Sequence, residues 1–449
     1  QYGQPTRTIA YEWDGSNWQA YRASKTQFWP NNTAHLTALP ARTVTLDCQT
    51  SGCDFDNESG LTSETLFLYD YSQTYNTAPT NGKLTAQRTR VEGNNYAQIS
   101  YAYDSYGNLT GTTSYEHYAT LTANPTGNTF IYSQSYDTNY HTYVVQESNP
   151  LGHTLEYTYN YAIGVPTSVT DANTVTTFAY YDVFRRMTKI AAPGDSEPNP
   201  TLEIIYHDAS QPWQVELKQK VDSTNSINIS HFYDGLGREI QTQQVGKYVG
   251  DSQFTIVSDV SYDSMGRQSK QSVPYTITYN ASPIFQTQNF SQHPYSESTY
   301  DIFGRLSIST APNGNQTSYA YGDDSVTVTD PNDNDTTSWM DAWGRTIKVQ
   351  APESPAVLYT YDTQDRLVEV REGETNGYLT EILYNYAGQK TSLTTPDMGT
   401  WGYEYDPSGN LSTQTDARGC EIDMLYDSLN RLTEKSYTGP DACAQTATV

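Results

Sequence analysis

The chain has 449 residues, with 25 Lys+Arg against 51 Asp+Glu and a formal net charge of −26. That balance repels nucleic acid and anionic lipid, so neither is an expected partner; it could attract a basic cargo or cations, but solubility is the preferred reading. No run of about eighteen apolar residues occurs, so no helix is expected to insert into a membrane.

Residues 1 to 64 are expected to form a β-rich leader. Tyr11-Glu12-Trp13-Asp14-Gly15 reads as a strand entering a turn, and Trp18 starts the strand back. Phe28-Trp29-Pro30-Asn31-Asn32 is an aromatic connection stopped by proline. Leu39-Pro40-Ala41-Arg42 reads as a turn leading into the β-branched strand Thr43-Val44-Thr45-Leu46. Cys48 and Cys53 enclose a short loop, and Cys420 and Cys443 lie near the other end. Three disulfide connectivities are possible. Proximity favours Cys48–Cys53, which leaves Cys420–Cys443, and such pairing fits an oxidising, extracellular compartment. The chain begins Gln1-Tyr2-Gly3, without Met or an apolar signal stretch, so a processed product or a piece of a larger protein is expected.

Residues 65 to 437 repeat one unit, most plainly in Trp401-Gly402-Tyr403-Glu404-Tyr405-Asp406-Pro407-Ser408-Gly409-Asn410-Leu411. Tyr403 and Tyr405 share one face of an extended strand. Asp406 opens a type I turn, Gly409 closes it at positive φ, and Leu411 begins the return strand. The unit recurs at Tyr103-Asp104 with Gly107, Tyr233-Asp234 with Gly237, Tyr262-Asp263 with Gly266, and Tyr300-Asp301 with Gly304. Met340, Tyr361, Tyr384, Tyr405 and Tyr426 head the last units at gaps of 21, 23, 21 and 21 residues, a spacing typical of a stacked or coiling repeat array. Asp365 and Asn430 replace the glycine in two units, and these types tolerate left-handed geometry best. Arg185, after Tyr181-Asp182, does not fit and is expected to mark a rebuilt turn. Asn385 and Asn160 stand in for the aspartate, as a first turn position allows. The middle of the chain is irregular, with a loop from Asp195 to Pro200 and a longer excursion from Pro274 to Pro294, both expected at loop tips. Beyond Tyr437, residues 438 to 449 read as a C-terminal tail that Gly439-Pro440-Asp441 breaks from the last strand.

The pattern Y-D-x-x-G-[RN]-L over most of the chain resembles the YD repeats of Rhs-type proteins: bacterial Rhs and wall-associated proteins, Tc-toxin B and C components, and animal teneurins. The resemblance implies an all-β array of antiparallel hairpins in a spiralling sheet, closing as a hollow shell or tube. In toxin-carrying members an Asp-Pro-x-Gly-Leu-like motif ends the shell and releases the toxin; no such segment occurs here.

Composition fits a sheet that is neither dry nor fully wet: there are 40 Tyr against 11 Phe. The Tyr pairs 101/103, 157/159, 319/321, 359/361 and 403/405 are expected to align into aromatic ladders. No H-E-x-x-H, G-x-S-x-G or P-loop pattern occurs, so no catalytic residue is assigned and no enzyme is expected. Asp330, Asn332, Asn334 and Asp341 match some positions of a calcium loop, but Asp335 stands where that loop needs glycine, and an ordinary turn is preferred. No other cofactor is expected. Nine N-x-[ST] sequons occur, two of them on the repeat positions Asn108 and Asn410. The favoured function is a structural module of a secreted or cell-surface protein, whose β wall encloses or presents another polypeptide. The alternatives are an extracellular fibre joined by sheet-edge pairing between copies and an adhesion or glycan-binding module. Expected partners are other segments of a larger Rhs-type protein, copies of the chain itself, a glycan or a polypeptide cargo.

Overall fold

Strands rich in Thr, Tyr, Val and Ser alternate with turns, many of five residues, in the computed structural model, which describes residues 5–13, 16–49, 52–223, 225–247, 253–373, 377–440 and 443. Asp14 and Gly15, Thr50 and Ser51, and Asp441 lie outside the described residues. Thirty-four strands occur among the described residues, from β1 (Arg7–Trp13) to β34 (Leu432–Thr438), and no helix. The chain is all-β and antiparallel. Period-two sequences such as QFTIVSDVSY in β18 (Gln253–Tyr262) bury Thr255, Val257 and Asp259 on one face. β3 begins at Pro40 rather than after the expected turn at 39–42; proline is tolerated as the first residue of a strand.

Chain contacts divide the molecule into two units. The first joins Gln1–Thr154 to Ser338–Val449, and the second is Leu155–Thr337. Within the first, β2 (Trp18–Phe28), β3 (Pro40–Asp47), β4 (Leu61–Tyr69), β5 (Leu84–Glu92) and β6 (Asn95–Tyr103) pair in order. Their core consists of two small clusters. Ala23, Val44, Leu46 and Cys48 form one. Leu66, Leu68, Ala86, Tyr96 and Ala119 form the other, with Tyr75 packed on it. Tyr75 and Ala119 come from excursions between strands, so insertions supply part of the cover. Two charged side chains lie in this region and both are partnered, as burial demands. Glu64 accepts from Arg42 Nε at 2.5 Å and from the Tyr96 hydroxyl at 2.9 Å. Arg88 donates to Gln98 at 2.7 Å and Asn124 at 2.7 Å.

In the second unit the excursion after Pro274 is not a loop tip. It forms β20 (Tyr275–Thr278), which pairs with β18, and residues 279–294 then return across β16 (Ser226–Tyr233), β17 (Glu239–Lys247) and β18. Side-chain amides hold this strap to the sheet. Gln241 donates to Gln286 O at 3.0 Å and accepts from Gln286 N at 2.9 Å, while Gln243 donates to Ile284 O at 2.7 Å. Phe285 sits edge-on to Phe232, with ring centroids 5.9 Å apart. The physical reason is that Gln241 and Gln243 are buried polar groups in mid-sheet; Asp259 and their mutual bond satisfy part of them, and the covering chain supplies the rest.

Candidate functional site

Each turn is built around one carboxylate. In the Asp301 turn, Gly304 N–H donates to Asp301 O at 3.0 Å, and Asp301 N–H donates to Arg305 O at 2.9 Å. One Asp301 oxygen accepts the N–H groups of Phe303 and Arg305, both at 2.9 Å, and the other accepts Arg305 Nε at 2.7 Å. The same pattern recurs at Asp234, Asp263 and Asp427. At Asp104 and Asp406 an asparagine amide, Asn108 or Asn410, replaces the guanidinium. Partial burial works against ionisation of Asp234, Asp263 and Asp301, but the bonds from backbone and Arg outweigh it and hold their carboxyls below the usual range. At Asp427 the Arg431 hydrogen bond is the largest cause of the same lowering.

The backbone requirement is visible in φ. Gly107, Gly237, Gly266, Gly304 and Gly409 have φ of 92, 76, 82, 84 and 89°, and Asp365 and Asn430 have 63 and 60°. Arg185 corrects the expected rebuilt turn. It adopts φ 66°, and both turn bonds to Asp182 are present. The Asp182 carboxylate satisfies enough turn donors to hold a residue of another type in left-handed geometry. Beyond each turn the return strand carries one extra residue: Tyr300 opposes Leu306, Thr299 opposes Ile308, and Ser307 is the surplus. Its hydroxyl lies 3.0 Å from Thr299 Oγ1. Thr433 fills that place after Tyr426, donating to Leu425 O at 3.0 Å.

The repeat tyrosines bind one unit to the one before. Tyr103 donates its hydroxyl to Leu84 O, Tyr262 to Glu239 O, Tyr300 to Gln268 O, Tyr361 to Thr346 O, Tyr405 to Lys390 O and Tyr426 to Leu411 O, all at 2.7–2.9 Å. Each acceptor is the residue that opens the preceding return strand. Tyr233 lacks a bond of this kind among those described, but stands 6.5 Å from the His231 ring. The arginine closing a turn then lies over the next unit's ring: Arg238 over Tyr262 at 4.5 Å, Arg267 over Tyr300 at 4.4 Å, Arg366 over Tyr384 at 4.8 Å. Two of the tyrosines expected in ring ladders, Tyr321 and Tyr361, likewise lie under a guanidinium, of Arg305 at 4.1 Å and of Arg345 at 4.8 Å. All ten paired tyrosines are half-buried. The sequence pattern contained these arginines, at the position after Gly where Asn108, Gln389 and Asn410 stand in other units, but gave them no role.

In the first unit the late turns also close on the leader across more than 300 residues. Tyr21 donates to Asp362 O at 2.5 Å and receives Arg345 Nη1 at 2.8 Å; its ring meets Trp343 with centroids 4.4 Å apart. Arg22 binds Thr363 O at 3.0 Å and Asp365 Oδ2 at 2.9 Å, while Arg345 takes Asp365 Oδ1 at 2.8 Å. The aspartate in a glycine position therefore joins two arginines as well as turning the chain. Further on, Tyr386 N–H donates to Val91 O at 3.1 Å, and the Tyr118 hydroxyl donates to Tyr405 O at 2.9 Å. Burial pushes the Tyr118 phenol up to about 12.

The calcium-like residues are occupied by turn bonds. Asp330 accepts Asn332 N at 2.8 Å, Asn334 N at 2.9 Å and Asn334 Nδ2 at 3.0 Å, and Asp341 pairs with Arg345 at 2.6 Å. Among the described residues no group of three or more His, Cys, Asp or Glu could hold a metal. Cys48 is bonded to Cys53 and Cys420 to Cys443.

Residues 202–327 match the model of a domain of unknown function, DUF6443. No curated protein matches the chain. Among solved structures, the TcdB2-TccC3 crystal structure superposes with a TM-score of 0.72 at 16% identity, over 95% of this chain and 27% of that one. The TcdB2-TccC3-Cdc42 structure gives 0.71 at 15%, over 95% and 30%. The Photorhabdus luminescens Tc holotoxin pore with a mutant TccC3 gives 0.72 at 13%, over 94% and 29%. The chain thus spans less than a third of the length of these neighbours, and what it shares with the Tc toxin assemblies is their all-β fold.

Proposed function

We propose that the chain is a non-enzymatic wall segment of an Rhs/YD-repeat shell, secreted or on the cell surface, that encloses or presents another polypeptide. The observation that carries this reading is the seam itself. The aspartate, arginine and tyrosine of successive units are engaged in holding turn to turn, which is the chemistry of a wall. The fold of the Tc toxin neighbours supports a shell, and the two disulfides support an oxidising compartment. A repeat array is stabilised by nearest-neighbour contacts, so it tolerates shortening.

The test is removal of the last hairpin, β33 (Glu421–Tyr426) and β34, followed by far-UV dichroism, thermal melting and mass measurement in solution. A folded, shorter, non-polymerising array is the expected result. A parent chain that polymerises, and a folded truncation that no longer does, would replace the wall with the fibre.

A further inference from the structure

The turns of the second unit leave their tips bare. Val183 and Phe184, Leu236, Met265, and Ile302 and Phe303 occupy the two middle positions of successive Tyr-Asp turns, and are 73–94% exposed. Antiparallel pairing from β12 (Thr176–Tyr181) to β22 (Leu306–Thr310) puts these turns at one end of the strands. At two strands per turn they form a row roughly 40 Å long, from the ~4.8 Å strand spacing. The exposed polar stretch 208–211, between β14 (Leu202–His207) and β15 (Trp213–Lys220), separates the first two tips, and the rest follow one another at about 10 Å, a repeated apolar edge on the scale of an interaction surface.

The first unit shows what covers such tips. There Trp343 and Thr363 hold the same turn positions, and β2 lies on them. Tyr21 contributes its ring to Trp343 and its hydroxyl to the carbonyl of Asp362, and Arg22 binds the carbonyl of Thr363 and the carboxylate of Asp365. An apolar tip beside outward carbonyls is matched by an aromatic ring with a donor at its end, next to a guanidinium. The unit as a whole is acidic, while Asp182, Asp208, Asp234, Asp263 and Asp301 are balanced at the edge itself by Arg185, Arg186, Arg238, Arg267 and Arg305, so the basic character of the occupant follows from β2. Residues 155–337 hold 21 Asp+Glu against 10 Lys+Arg, a net 10 − 21 = −11, and the turn arginines are paired with their own aspartates.

We propose that this row is a docking edge for a basic, aromatic β-strand of a partner polypeptide, seated as β2 is seated on the first unit. This does not depend on the wall reading.

The probe is a fluorescent synthetic peptide of residues Trp18–Phe28, which carries Tyr21, Arg22 and Lys25. Its binding to the full chain is measured by anisotropy, beside a variant with Leu236→Asp, Met265→Asp, Ile302→Asp and Phe303→Asp. These tips are exposed, and dichroism and melting verify that the variant is folded. Saturable binding that falls at least tenfold in the variant, and at least tenfold for the peptide with Tyr21→Ala and Arg22→Ala, is expected. Absence of saturable binding, or equal binding to both proteins, overturns the proposal. Two further outcomes also overturn it: a dimer of the parent chain that the variant abolishes makes the occupant a second copy, and tip-dependent binding to phosphatidylcholine vesicles without peptide binding makes it a lipid surface.

Discussion

The strands β2 to β6 and the regular array from β26 (Thr346–Gln350) to β34 belong to the same unit and are held by different means. The early strands bury Leu46, Leu66, Leu68, Tyr96 and the paired charges Glu64 and Arg88. In the late strands Met424 is the buried side chain among the described residues. Excursions explain the difference. Where the chain leaves the repeat to lay Tyr75 or Ala119 on the sheet, a core forms; where the period is strict, other segments reach the array mainly at its turns, as Tyr21 and Tyr118 do, and the seam of caps, phenols and guanidiniums carries more of the structure. Regularity and burial are alternatives in this molecule.

The largest way to break the seam is acid, because it acts on many turns at once. The carboxyls of Asp182, Asp234, Asp263, Asp301 and Asp427 are held below the ordinary value. A lowered folded value contributes stability that is complete above the unfolded value of about 4 and is lost as pH falls through the folded one. At Asp137 burial is the largest single influence and works against ionisation, but four backbone N–H groups together outweigh it and hold the carboxyl at about 2. Urea midpoints are therefore expected to fall between pH 4 and 2 and to be flat from 5 to 8. The combined variant Asp182→Asn, Asp234→Asn, Asp263→Asn and Asp301→Asn should lower the plateau and blunt that slope. An unchanged slope would remove the caps from the account.

A core deletion sharpens the other side. Leu66→Ala, at a fully buried site, is expected to cost about 2–5 kcal/mol. Leu383→Ala in the late array, where the side chain is exposed, should cost within about 0.5 kcal/mol. Comparable losses in denaturant titrations would show that the late strands possess a core after all.

The hairpins and their turns were legible in the sequence because both are local: alternation of two sets the strand, and Asp at the first position with Gly at the fourth sets the turn. Asp365 shows where that reading stops. Its tolerance of φ 63° is a property of the residue, but its bonds to Arg22 and Arg345 join positions 343 and 20 apart, which no spacing rule encodes. The strap failed for a related reason. Nothing local marks Gln241 and Gln243 as interior, and the chain returning at 284–288 is what covers them. Arg185 misled because its glycine position was weighed by residue type, while the Asp182 cap decided the conformation.

Gly409 separates backbone strain from packing. Its φ is 89°, and the nearest atom to an added Cβ would be Gln389 Nε2 at 3.5 Å, an ordinary contact. Gly409→Val is expected to cost about 1–3 kcal/mol from conformation alone, and Gly409→Asn much less. Equal tolerance in thermal melts would sink the turn model.

The smallest effect bears on what joins one unit to the next. Tyr384 donates its hydroxyl to Leu367 O at 3.0 Å, and its ring lies under Arg366 at 4.8 Å. If rings stacked on rings held the array, Tyr384→Phe would be silent, since the ring survives. The hydroxyl bond predicts instead a loss of about 0.5–1.5 kcal/mol. Arg366→Met removes the guanidinium from that ring, and also its bonds to Asp362 and Asn385 O. A cycle with Tyr384→Leu isolates the ring contact from those bonds, because they are lost equally on both arms. The coupling between Arg366 and the Tyr384 side chain should be about 0.5–2 kcal/mol, the range from an exposed to a desolvated cation over a ring, since Arg366 is half-buried. Most of it should survive Tyr384→Phe, which keeps the face and removes the hydroxyl. A coupling that vanished with the hydroxyl alone would make the phenol bond the whole joint between units. One that survived in full, with Tyr384→Phe itself silent, would hand the joint to the guanidinium.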